Sequence, residues 1–143
     1  MKVQSLILLL SLIFIHTFVL AQYENLSQKL SIQQAESLID RGSCRQASIL
    51  LNKLIKDGLS ENDELEVKIL SARIFHENGK RVEAIEQLQN LLTSPVTHTA
   101  QNIDLRADAY LVLAECYFGM YSLEKFKTVS ETFLNFSKEY MPK

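Results

Sequence analysis

From Ser27 onward, apolar side chains recur every three to four residues, the spacing of one face of an α-helix. Glycine, proline or short polar stretches interrupt the pattern and divide it into six predicted helices, at about 27–41, 44–57, 62–78, 81–93, 103–119 and 122–139. Period-two alternation is missing, so a strand reading fails. With 4 glycines and 2 prolines the chain also lacks the tight turns that a sandwich or barrel needs.

The first twenty residues have a different texture. Lys2 precedes an apolar run containing Leu6, Ile7, Leu8, Leu9, Leu10, Leu12, Ile13, Phe14, Ile15, Phe18, Val19 and Leu20. A basic start, an apolar stretch of this length and Val19-Leu20-Ala21 after it match an export signal cut after Ala21. The competing reading is an uncleaved membrane anchor. A spanning helix needs about 20 apolar residues, and His16 and Thr17 interrupt this run. The expected organisation is therefore a cleavable signal at 1–21 and one helical domain at 22–143, exported to a periplasm or the exterior. No membrane association is expected after cleavage.

Within that domain three segments align without gaps on Ala35, Ala72 and Ala114. Three residues later stand Leu38, Phe75 and Tyr117; seven later, Gly42, Gly79 and Tyr121; twelve later, Ala47, Ala84 and Phe126. Leu51, Leu88 and Ser130 follow at offset sixteen, and Leu54, Leu91 and Phe133 at nineteen. A small residue lets the partner helix approach, a large one fills the seam a turn later, and glycine permits the left-handed conformation that ends the first helix. The second small residue opens the facing helix to the same contact. In the third copy Phe126 and Tyr121 break these rules, so its helices are expected to lie further apart or shift register.

These residues resemble the tetratricopeptide repeat family, over about 27–58, 62–95 and 103–140. The middle copy is the closest match, through Ala72, Phe75, Gly79, Ala84, Ile85, Leu88, Leu91 and Pro95. The resemblance implies an all-α solenoid of about three antiparallel helix pairs. Family repeats run about 34 residues; here the excess falls between copies, around 59–63 and 93–103, where loops tolerate length.

The resemblance also implies that the first helices of successive pairs line a concave groove. Positions three before, one after and four after each anchor share a helix face. They are Ile32, Glu36 and Ile39, then Ile69, Arg73 and His76, then Leu111, Glu115 and Phe118. Lys29, Glu66 and Asp108 stand one turn earlier, and Asp40 and Glu77 at the lower edge. Aliphatic residues with acids between them suit a protein or peptide segment carrying apolar anchors and some positive charge. The alternative is that Ile32, Ile69 and Leu111 pack sideways between helices. Family members that grip the carboxylate terminus of heat-shock chaperones place lysine, asparagine and arginine on this face. Ile32, Glu36, Leu70, Asp108 and Val112 at the matching positions disfavour that ligand.

Charge and chemistry narrow the reading further. Loss of Lys2 with the signal leaves 14 bases against 17 acids, so there is no basic footprint for nucleic acid. No two of His16, His76 and His98 have metal-ligand spacing, and phosphate loops and nucleophile elbows are absent. Glu36 and Glu115 are the one carboxylate pair to weigh as acid and base. They stand on the outer copies, and a non-enzymatic, cofactor-free role is expected. Cys44 and Cys116 fall in the first and third pairs, too far apart for the roughly 7 Å limit of a disulfide.

The last helix carries Leu123, Phe126, Val129, Phe133, Phe136 and Tyr140, more than one apolar stripe. A solenoid needs a polar outer face at its end. Self-association through this helix, docking on a partner, or a place at the start of a longer signalling protein with further repeats are the alternatives. Tyr140-Met141-Pro142 resembles a junction between repeats.

Overall fold

The computed structural model describes the backbone of residues 2–140, and the side chains of residues 13–99 and 101–140. Lys2 and Leu6 to Leu12 of the expected export signal, and Met141 and Pro142 of the expected junction, lie outside the described side chains. The fold is all-α. Six helices follow in order: α1 (Lys2–Asp40), α2 (Cys44–Asp57), α3 (Glu61–Glu77), α4 (Arg81–Thr93), α5 (Ile103–Gly119) and α6 (Leu123–Tyr140). Two short 3-10 turns, Pro95–His98 and Ala100–Asn102, join α4 to α5.

Five of the six helices end within about two residues of the pattern-based bounds. The exception is α1, which runs unbroken back to Lys2 because no glycine or proline interrupts residues 2–41. Every side chain from Ile13 to Ser27 is exposed, so this described part of the extension adds nothing to the core. Among the described residues no helix is long and apolar enough to cross a membrane. The connection at 93–103, expected to be a loop, is pinned from inside. Thr97 is fully buried and its Oγ1 donates to the Leu91 and Ser94 carbonyls at 3.2 and 2.7 Å. Buried Asn102 donates through Nδ2 to the Val96 carbonyl at 2.9 Å.

The three hairpin turns are built alike. Gly42 (φ 75°), Gly79 (φ 76°) and Tyr121 (φ 56°) all occupy the left-handed region. In each, the left-handed residue's N–H donates three residues back, to Ile39, His76 or Phe118. The next N–H donates five residues back, from Ser43 to Leu38, Lys80 to Phe75 and Ser122 to Tyr117. This paired closure satisfies carbonyls that a helix end leaves free. Tyr121 thus takes the glycine's conformation at a backbone cost, and the third turn keeps the register of the other two.

Each turn folds a helix back on its predecessor: α2 on α1, α4 on α3 and α6 on α5. Ala35, Ala47, Ala72 and Ala84 are fully buried in the first two seams, where the small side chains permit close approach. Successive pairs then stack, α3 against both α1 and α2, and α5 against both α3 and α4. Val67, Leu70 and Ile74 carry the first of these contacts, in one apolar cluster with Ile32, Ile39, Leu51 and Leu54. Ala109, Val112 and Cys116, at the same offsets from their anchor, carry the second, with Ile69, Leu88 and Leu91. Cys44 and Cys116 are free thiols, one in each cluster.

The third pair accommodates Phe126 without losing α6. Its ring turns toward Phe118, with centroids 5.6 Å apart, while Tyr110 lies against Phe133 and Phe136 at 6.5 and 5.9 Å. Arg106 caps this group, its guanidinium carbon 4.7 Å from the Phe136 ring centre.

A left-handed conformation costs a non-glycine residue roughly 1–2 kcal/mol, and glycine returns part of any gain through unfolded-chain entropy. Tyr121→Gly is therefore expected to stabilise the chain by about 1 kcal/mol, a rise of about 4 °C in Tm. Gly79→Ala should lower it. Thermal melts followed by circular dichroism check both.

Candidate functional site

The stacking decides which of the nine expected groove residues reach solvent. Positions three before the anchors are buried in the first two copies: Ile32 is 1% exposed and Ile69 4%. They pack sideways, because the following odd-numbered helix lies against them. Ile39 is buried in the same way, and His76 is half-buried with its Nδ1 unpartnered. Leu111 and Phe118, the third copy's equivalents, are 48% and 61% exposed. Ile32 and Ile39 therefore belong to the core. Phe118 belongs to a different surface, between α5 and α6, and Leu111 lines both that surface and the groove.

The open groove is formed instead by the positions one after and six before each anchor. Glu36, Arg73 and Glu115 supply the first set, Glu66 and Asp108 the second, and all five line one hollow of about 240 Å³ across α1, α3 and α5. Ile69, Leu70, Leu105, Leu111 and Val112 give it an aliphatic floor. The helical period explains the arrangement: residues seven apart return to one face, so Glu66 lies below Arg73 and Asp108 below Glu115.

Arg73 ties α3 to α1. Its Nη2 donates to Asp40 Oδ1 at 2.8 Å and its Nη1 to Glu36 Oε1 at 3.4 Å. Both carboxylates remain largely solvated, so the pair orients side chains more than it stabilises the fold. Among the described residues Arg73 is the one cation lining the hollow, against four carboxylates.

That imbalance marks two of the acids. Burial raises the Glu66 carboxyl above its ordinary value, the Asp63 and Glu36 carboxylates add to the shift, and Lys29 opposes it. Burial likewise raises Asp108, with Glu36 and Asp104 adding and Arg73 opposing. Negative charge is thus held where the protein alone neutralises it poorly, an arrangement that a cation from outside would relieve. Glu36 and Glu115, expected on separate outer copies, line the same hollow. Neither has a hydroxyl, thiol or imidazole beside it there to make a nucleophile–base pair. Cys116, behind the floor, has its thiol pushed up to about 11 by burial, with Glu115 adding, and so stays protonated and inert. Among the described residues no group of three or more His, Cys, Asp or Glu side chains is placed to hold a metal ion.

The shifts have a consequence for stability. A carboxyl whose folded pKa is raised binds its proton more tightly in the native state. Its contribution is complete below the ordinary carboxylate value of about 4 and is lost as pH rises through the raised one. Glu66→Gln and Asp108→Asn are accordingly expected to raise Tm at neutral pH, with the gain vanishing in acid. Melts from about pH 3 to 8 check this; a gain that persists in acid would contradict the charge-based cause. No family model matches this sequence, and neither does any curated protein or solved structure.

Proposed function

We propose that the chain is a non-catalytic protein-interaction module, exported by its N-terminal signal, whose α1/α3/α5 groove holds a segment of another protein. The observation that carries this reading is the hollow itself: an aliphatic floor under four carboxylates, two of them burdened by burial and mutual repulsion. A peptide or helix with an apolar anchor beside Lys or Arg is its complement, because the anchor covers the floor and the cation relieves the acids. Affinity for such a segment should rise with pH as Glu66 and Asp108 ionise. The tetratricopeptide resemblance supports the same reading: three similar hairpins stack in order, with their odd-numbered helices side by side. A superhelical solenoid is the architecture this stacking favours.

The signal-peptide reading gains support from α1. Its side chains from Ile13 to Ser27 are all exposed, so among the described side chains a cut after Ala21 removes no core contact. The exported form is expected to begin at Gln22, as N-terminal mass spectrometry would read. An intact Met1 on the exported chain would favour anchoring through an uncleaved segment.

The groove is tested by capturing partners with the full chain, tagged at its C-terminus, from the cells that make it. A Glu66→Lys, Glu115→Lys variant of unchanged helicity serves as the comparison. A protein held by the wild type, released by salt and lost by the variant would establish a groove ligand. Identical partners on both, or none, would overturn the groove reading. Assembly through the last helix pair is the second reading, carried by the exposure of Leu111, Phe118, Leu123 and Leu134.

A further inference from the structure

The stacking leaves one position of its own pattern unfilled. The trough between α1 and α2 is occupied by α3, and that between α3 and α4 by α5. Among the described residues no helix lies in the third trough, between α5 and α6. It is a hollow of about 540 Å³ lined almost wholly by apolar groups, including Tyr110, Leu111, Phe118, Phe126, Phe133 and Leu134. It is also larger than a repeat of the first two would be. Ser130 lines it where Leu51 and Leu88, both fully buried, fill the equivalent space.

We propose that this trough is a docking site for an amphipathic helix of a partner protein, seated as α3 is seated on α1 and α2. The chemistry of the occupant is written in the two helices that fill the other troughs. Val67, Leu70 and Ile74 enter the first, and Ala109, Val112 and Cys116 the second: apolar or small residues at i, i+3 and i+7. At i+6, Arg73 reaches back to Glu36, one residue after the anchor of the preceding odd-numbered helix. Glu115 is the same position on α5 and lies at the rim of the vacant trough. The occupant therefore presents apolar residues at i, i+3 and i+7, with Lys or Arg at i+6 facing Glu115. The missing leucine at Ser130 calls for a large side chain opposite it.

The opposite end of the molecule argues against a second copy as the occupant. Leu30, Gln33 and Ser37 are the residues of α1 at the seating offsets. Two of the three are polar, so α1 of another copy lacks the face that the trough would bury.

The probe is an alanine-based helical peptide of about 17 residues, long enough to populate helix in water. It carries Val, Leu, Arg and Ile at the spacing of Val67, Leu70, Arg73 and Ile74, and is titrated with the full chain by fluorescence anisotropy. Saturable binding is expected, weakened about tenfold or more by Leu134→Glu and by a Phe118→Glu variant of unchanged helicity, both at exposed positions. Replacing the peptide's Arg by Glu should weaken binding about fivefold, and Glu115→Arg should restore it. Absence of saturable binding, or binding indifferent to both trough variants, would overturn the proposal. So would sedimentation of the wild-type chain as a dimer that Phe118→Glu dissolves, because a second copy would then own the trough.

Discussion

The stack rests on small side chains meeting across each of the first two helix pairs. Ala35 and Ala47, then Ala72 and Ala84, are fully buried, and in a close-packed interior a larger side chain at these positions displaces its neighbours. Overpacking such a site costs about 1–3 kcal/mol, a large share of the stability of a domain this size. Close approach in turn fixes what the next helix meets. Ile32, Leu51 and Leu54 form one continuous surface, and Val67, Leu70 and Ile74 of α3 settle onto it. The same logic places Ala109, Val112 and Cys116 on the second pair. The third pair departs from it at Phe126. Aromatic contacts among Phe118, Phe126, Tyr110, Phe133 and Phe136 replace the alanine seam there, and an apolar hollow remains between α5 and α6.

The groove follows from that stack. Once α1, α3 and α5 lie side by side, the positions between their buried stripes face one another across the surface. Glu36, Glu66, Asp108 and Glu115 come together although they are spread over eighty residues of chain. Arg73 answers part of that charge from the middle helix and leaves the rest unpaired in the hollow. The two surfaces share Leu111 and Glu115, so the acidic hollow and the apolar trough are continuous along α5.

Much of the architecture was legible in the sequence because it is set by local rules. The turns at Gly42 and Gly79 and the bounds of α2 to α6 follow from helical periodicity and left-handed termini. The register of the third turn, placed in doubt by Tyr121, holds because two backbone hydrogen bonds outweigh the strain at one residue. What the sequence did not reveal depends on neighbours beyond a single pair. Whether Ile32 faces a groove or a neighbouring helix is decided by where α3 lands, which periodicity within α1 does not encode. Leu111 has the same place in its own repeat and is half exposed, since no described helix covers it. Thr97 and Asn102 were invisible for another reason: their burial serves single carbonyls in a connection with no period.

Hydrogen exchange measured helix by helix on the chain alone tests this account most directly. Amides of α3 and α4, packed on both sides, should exchange slowest and only through global unfolding. Those of α6, bordering the uncovered trough, should exchange faster through local opening. Protection of α6 equal to that of α3 and α4 would contradict the account, because it would show that the last trough is already covered.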